Sequence, residues 1–207
     1  MRIPLVLLLG FWGLLTVAPA AAAEAPPVEI AGFALGADKA EVQARLKPET
    51  ALAIRFAEYL EEVETQPLPG FKSGLITFGT CASPGRIVRI KLKYADSSRA
   101  FFDALLTRLE ARFGKPDEWQ GDPFHVVIAW KWSFTDAAGR RFTLNLQHNT
   151  RDAEEKLGNA VKLTAISAIE AEADCFAARF PDFRRVDPGA ADSKAGKAQD
   201  WDWLLPR

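Results

Sequence analysis

The sequence predicts an α+β fold in which an antiparallel sheet carries helices on one face. Three observations support this. Arg86–Tyr94 and Val126–Phe134 alternate apolar and polar side chains along their length, the period of half-buried strands. The stretch from Ser98 to Phe113 instead places Phe101, Leu105, Leu109 and Phe113 four apart, the step of an amphipathic helix. Strand signals come in runs between helices rather than in strict one-to-one alternation, which favours antiparallel pairing.

Taken in order, Asp38 followed by Glu41 has the form of a capping box. It opens a first helix that presents Val42 and Leu46 and stops at Pro48. Residues 51–64 fit a helix through Leu52, Phe56, Tyr59, Leu60 and Val63, and also partly alternate; strand is the preferred reading. Pro67–Gly70 makes a turn, Leu75–Thr80 a short strand, and Arg86–Tyr94 a strand with Val88, Ile90, Leu92 and Tyr94 on one face. Asp96, Ser97 and Ser98 offer caps for the long helix, and Gly114 with Pro116 ends it.

In the second half, Val126, Ile128, Trp130, Trp132 and Phe134 share one strand face. Asp136–Gly139 turns that strand into Arg141–Gln147, and 149–159 reads as a polar loop. Val161, Leu163 and Ala165 mark one more strand. Ser167 and Glu170 form a second capping-box pattern, opening a helix that Pro181 ends. The junctions Ala44-Arg-Leu-Lys-Pro48 and Ala111-Arg-Phe-Gly-Lys-Pro116 look alike, which suggests two duplicated helix-plus-three-strand units.

Around this unit the termini differ in character. Arg2, the apolar run Ile3–Val17 and the alanine-rich end at 20–23 make residues 1–23 a cleavable signal peptide. The run is shorter than a membrane span and contains Pro4 and Gly10, so no membrane span is expected. The predicted organisation is a signal at 1–23, a lead-in at 24–30, one α+β domain at 31–185 and a flexible tail at 186–207. Such a protein is exported, to the periplasm or beyond.

Export fixes the expected chemistry of the two cysteines: Cys81 and Cys175 form one disulfide. The alternative is a reactive thiol at Cys81, although no basic residue lies within four positions to stabilise a thiolate. Charge also constrains partners. Without residues 1–23, whose one charged side chain is Arg2, 25 Lys and Arg face 27 Asp and Glu, a net charge of −2. That balance argues against bulk nucleic-acid binding.

The segment Leu35-Gly36-Ala37-Asp38-Lys39-Ala40-Glu41-Val42 resembles the opening of small envelope domains. It is similar in layout to the small lipoprotein of the outer-membrane barrel assembly machinery and to the β-lactamase inhibitor proteins. The match spans residues 33–48, with a looser echo at 109–119. The resemblance implies helices against one face of an antiparallel sheet and a protein-binding or scaffolding part without catalysis. The lipoprotein's lipidated cysteine has no counterpart here, which removes a membrane-tethered role.

Few residues suggest catalysis. His125 and His148 are the only histidines, too few for a zinc site without a third ligand, so no metal or other cofactor is expected. Asp122 and His125 could set a carboxylate beside an imidazole for acid–base work; a small hydrolase or thiol enzyme using Asp122, His125 or Cys81 is the alternative to a binding protein. Asp122 as a turn residue is the simpler reading. Trp119, Trp130 and Trp132 are most simply core, with a ligand-stacking platform as the competing use. A carrier holding an apolar ligand between sheet and helices is a further option.

The remaining signal is the other sheet face. Alternation puts Arg89, Lys91, Lys93, Lys131, Arg141 and Lys162 there, with Thr143, Asn145, Gln147 and Thr164 between them. An ordinary solvated face explains this, since lysines also discourage edge pairing. The sharper expectation is a docking surface for an acidic partner: an envelope protein, a lipid headgroup or a glycan.

Overall fold

The computed structural model describes residues 25–124, 126–149 and 158–181. The predicted signal peptide, the 186–207 tail and His125 lie outside these residues. The stretch expected as a lead-in already contributes structure, because β1 (Glu29–Ile30) pairs with β2 (Phe33–Ala34). Their turn holds Ala31 and Gly32 at positive φ. The Arg45 guanidinium clamps it, donating to the carbonyls of both residues while lying 4.0 Å from the Phe33 ring centre.

The first helix is shorter than expected. α1 (Lys39–Val42) is capped by the Asp38 carboxylate, which accepts from the Ala40 amide at 2.9 Å. Tight turns at 43–45 and 48–50 follow, the second opened by Pro48, whose ring cannot continue a helix. Residues 51–64 form strands, as preferred: β3 (Leu52–Ile54) and β4 (Ala57–Glu64) make a hairpin. β5 (Phe71–Gly79) and β6 (Ile87–Tyr94) follow, then α2 (Arg99–Phe113). β7 (Glu118–Trp119), β8 (Val127–Thr135), β9 (Arg141–Asn149), β10 (Gly158–Ala165) and α3 (Ile166–Arg179) complete the order.

Strands β3–β10 form one eight-stranded antiparallel sheet in the order β3-β4-β5-β6-β10-β9-β8-β7. The two halves are a helix plus four strands each, one strand more than predicted, because β3 and β7 are too short to show alternation. They meet where β6 pairs with β10, with Ile90 opposite Leu163, Lys91 opposite Lys162 and Leu92 opposite Val161. Strand order runs outward from this seam in the same sequence on both sides, so the seam stands where a two-fold between the halves would lie.

One face builds the core. Val63, Ile76, Ile90, Leu92, Leu144, Leu146, Val161 and Leu163 meet Val42 and Leu46 from the first helical segment and Phe102 from α2. Half-buried Leu105, Leu109 and Phe113 continue the α2 stripe against the core, with Phe113 edge to face on Phe134. Trp132 is buried, and its indole N–H donates to the carbonyl of Gly114 at 2.8 Å, tying the end of α2 to the sheet. Val88 departs from the expected alternation. It is an extra residue on β6 between Ile87, opposite Phe78, and Arg89, opposite Thr77, so Ile87 takes the core position at that end.

The third helix corrects the prediction that helices cover one face only. α3 leaves the end of β10 without a loop and crosses the opposite face at one end of the sheet. Glu170 pairs with Arg141, and Glu172 reaches Gly79, both on that face. Leu60, Thr77, Thr143 and Thr164 are buried on that face. The expected Ser167–Glu170 capping box does not form. Ala165 occupies the cap position without a side-chain bond, and Ser167 Oγ accepts from the Arg141 amide at 3.0 Å instead.

The Cys81 and Cys175 sulfurs stand at disulfide distance, with Cα atoms 5.8 Å apart, joining α3 to the β5–β6 loop. The Glu172 carboxylate sits beside them, only 1 % exposed. Oε2 accepts from the amides of Thr80 (3.1 Å), Cys81 (2.6 Å) and Ala82 (3.0 Å), and Oε1 from Ser83 at 2.6 Å. Four successive N–H groups make an anion-binding concavity, and here the chain fills it with its own carboxylate. Gly79 is required at this point because a Cβ there would overlap that carboxylate.

Candidate functional site: the basic sheet face

The open end of the α3-bearing face collects most of the predicted basic residues. In one row across the sheet lie Leu75, Lys91, Lys162, Asn145, Lys131 and Glu118, from β5, β6, β10, β9, β8 and β7. In the next row toward α3 lie Glu62, Thr77, Arg89, Thr164, Thr143 and Ser133. Lys91 and Lys162 are therefore direct cross-strand neighbours, with Arg89 and Thr164 facing each other one row away. Like charges directly opposite on an antiparallel pair are destabilising, so this pairing is not what sheet stability would select.

The electrostatics confirm that the cations share one field. Burial first, and then the charges of Arg89, Lys91 and Lys131, hold the Lys162 ammonium below the usual lysine pKa. Lys131 has a carboxylate partner, Glu118 on the edge strand, at 2.8 Å. That salt bridge and the hydrogen bond from Gln120 push the Glu118 carboxyl down. Among the described residues, no carboxylate forms an ion pair with Arg89, Lys91 or Lys162, whereas Lys39, Lys47, Arg86, Arg99, Arg140 and Arg141 all have one. Two polar atoms in this region are also buried without a hydrogen-bond partner: Arg89 Nε and Thr164 Oγ1.

The six predicted residues do not form a single patch. Arg89, Lys91, Lys162 and Lys131 come together, and Lys93 stands one row further out, opposite Ala160. Arg141 lies at the α3-covered end, with its guanidinium 2.5 Å from both Glu170 oxygens. Alternation placed the cations correctly on one face but could not show the acids that reach it from elsewhere. Glu118 is on a two-residue strand, and Glu170 and Glu172 are on a helix expected on the other side. The Thr164 hydroxyl was legible as part of the face; its burial was not.

Asp122 is a turn residue: its carboxylate accepts from the amides of Phe124 (2.8 Å) and Val127, and the Val127 bond is the main reason its carboxyl is held low. His125 falls outside the described residues. His148 is buried, with Nδ1 2.7 Å from Asn159 Oδ1. Asn159 Nδ2 donates to the carbonyls of Asp96 and Ser98, so Oδ1 is the acceptor and His148 carries its proton on Nδ1. The arrangement ties β9, β10 and the start of α2 together. Among the described residues, no group of three or more His, Cys, Asp or Glu side chains could hold a metal ion.

The tryptophans divide. Trp132 is core, whereas Trp119, 37 % exposed, meets the half-buried Trp130 edge to face at the sheet edge, with ring centres 4.7 Å apart. A half-open cleft of about 300 Å³ lies on the core side, lined by Lys39, Ala40, Gln43, Leu46, Pro48 and Val63, between the first helical segment and the sheet. Among the described residues, no helix is long and apolar enough to cross a membrane. No family model, curated protein or solved structure matches this chain.

Proposed function

We propose that this chain is an exported binding protein of the cell envelope, without catalysis, whose basic sheet face receives an acidic partner. The observation that carries this reading is the row that sets Lys91 opposite Lys162 at the central seam of the sheet. Such a row opposes folding, and an external anion would offset it. The amino-terminal signal pattern and the close Cys81–Cys175 pair both fit an oxidising compartment. The alternative of a thiol or acid–base enzyme is weakened because Cys81 stands against Cys175 and Asp122 is committed to its turn.

The test is capture from envelope extract, comparing wild type with the Lys91, Lys93 and Lys131 triple substitution to Ser. The variant folds, since Lys91 is exposed, Lys93 and Lys131 are half-buried outside the core, and each such substitution changes stability by about 1 kcal/mol or less. It loses the acidic partner, and rising salt releases that partner from wild type. Unchanged capture with unchanged salt dependence would reduce the face to solvated surface. Mass spectrometry of the exported protein tests the localisation: an N-terminus near residue 24 is expected, and material retaining Arg2 would exclude it.

A further inference from the structure

We propose that Arg89, Lys91, Lys162 and Thr164 form a discrete site for one phosphate-type oxyanion, the phosphate monoester group of the acidic partner. This rests on the reading of the basic face as a docking surface and adds to it the chemical group that is bound. Arg89 faces Thr164 across the β6–β10 seam, and Lys91 faces Lys162 two residues along. Neighbouring strands lie about 4.8 Å apart and alternate residues about 6.7 Å apart along a strand, so the four Cα atoms frame a rectangle of about 5 by 7 Å. All four side chains leave the same face, and the three long ones can fold over its centre.

The donors suit a tetrahedral dianion better than a carboxylate. Arg89, Lys91 and Lys162 place three cations around one rectangle of the seam, and a carboxylate neutralises only one of them. A phosphate monoester brings nearly two negative charges and three terminal oxygens, enough for a guanidinium, an ammonium and a hydroxyl at once. Two of those donors already lack an acceptor. Arg89 Nε is buried and unpartnered, and Thr164, only 3 % exposed, has an unpartnered Oγ1 in the adjacent position. Buried polar groups without partners are rare in folded proteins, and a pair of donors in register beside two unpaired ammonium groups is accounted for by an acceptor from outside.

The nearby acids leave the centre free. Glu62 is two strands from Arg89 and three from Thr164, and its Oε1 accepts from the Thr77 hydroxyl at 3.2 Å, while Glu118 is held by Lys131. Asn145, between Lys162 and Lys131, donates to Gln120 Oε1 at 2.6 Å. The geometry therefore separates a phosphate anchor at the seam from a flanking surface that contributes long-range attraction.

Calorimetric titration of the protein with methyl phosphate, at fixed ionic strength and with acetate and chloride as controls, tests the site. Saturable binding of methyl phosphate without acetate binding is expected. Lys162→Met and, should that variant not fold, the more exposed Lys91→Met should each weaken it at least about tenfold. Sedimentation with phosphatidic acid vesicles against phosphatidylcholine vesicles identifies the source of the group: pelleting with the former alone assigns a lipid headgroup, and binding of methyl phosphate without pelleting assigns a soluble phosphate ester. Methyl phosphate binding no better than acetate, or equally in both variants, would overturn the site. If that happens while the triple Ser variant still loses its envelope partner, the docking surface stands and only the phosphate anchor falls.

Discussion

The two ends of one sheet face solve the same electrostatic problem in opposite ways. At the α3 end, four amides of the β5–β6 loop converge, and the chain supplies the anion itself through Glu172. Arg141 at that end is likewise matched by Glu170. At the open end, Arg89, Lys91 and Lys162 lie side by side across the β6–β10 seam, and no carboxylate among the described residues forms an ion pair with them. The closed end joins an otherwise separate helix to the sheet. The open end is built at a cost to stability on the same scaffold, which is the contrast on which the proposed docking surface rests.

The largest effect expected is at the closed end. Converting Cys81 and Cys175 to Ala removes a cross-link spanning 94 residues, worth about 4–5 kcal/mol in the loop-entropy model, and urea unfolding should show the midpoint fall accordingly. Glu172→Ala comes next. It leaves four loop amides without their acceptor, which should cost about 3 kcal/mol or more. Gly79→Ala should move in the same direction by displacing the carboxylate. If Glu172→Ala proved neutral, the closed end would not be the structural anchor assigned to it, and the contrast with the open end would lose its reference.

How far the sequence foretells this contrast depends on where each partner lies. Strands β6, β8 and β9 were legible because each is long enough to alternate, and α2 because its apolar step persists from Phe101 to Phe113. The cations of the face followed directly from that alternation. The closed end was hidden. Glu172 lies 89 residues or more from every amide it binds, and nothing local marks it as buried. The expected capping box at Ser167 and Glu170 failed because both side chains are used by Arg141, a tertiary demand that overrides local preference. Strands β3 and β7 were missed as separate elements because two or three residues cannot display a period.

A smaller effect of opposite sign is expected at the open end. Lys162→Met keeps most of the side-chain volume while removing a desolvated charge set among Arg89, Lys91 and Lys131. It should stabilise the protein by about 0.5–1 kcal/mol at neutral pH, read by urea unfolding, even as it removes anion binding. Stabilisation with loss of binding is the behaviour of a site kept for function. A destabilised variant would mean that Lys162 contributes to folding, and the open end would then resemble the closed one.

The smallest effect compares the open face with the core face of the neighbouring strands β6 and β10 at alkaline pH. Tyr94 on β6 packs between Phe71 and Phe101, with ring centres 5.0 and 5.2 Å away, and burial pushes its phenol up to about 12. An unfolded tyrosine ionises near 10, so the contribution of Tyr94 to stability is complete below about pH 10 and is lost as pH rises toward 12. Lys162 runs the other way. Its folded pKa is lowered, so the penalty for holding it charged fades as pH rises through that value toward the unfolded pKa of about 10.5. Both shifts share one cause, burial that disfavours the charged form, and they differ in sign because lysine is charged when protonated and tyrosine when not. Tyr94→Phe keeps both ring contacts and should flatten the loss of stability above pH 10, whereas Lys162→Met should remove the opposing rise and steepen it. In a Tyr59→Phe background Tyr94 is the only tyrosine left, and absorbance near 295 nm should show it ionising around pH 12 in the folded protein. Ionisation near pH 10 would place Tyr94 in water and remove the core-side half of the comparison.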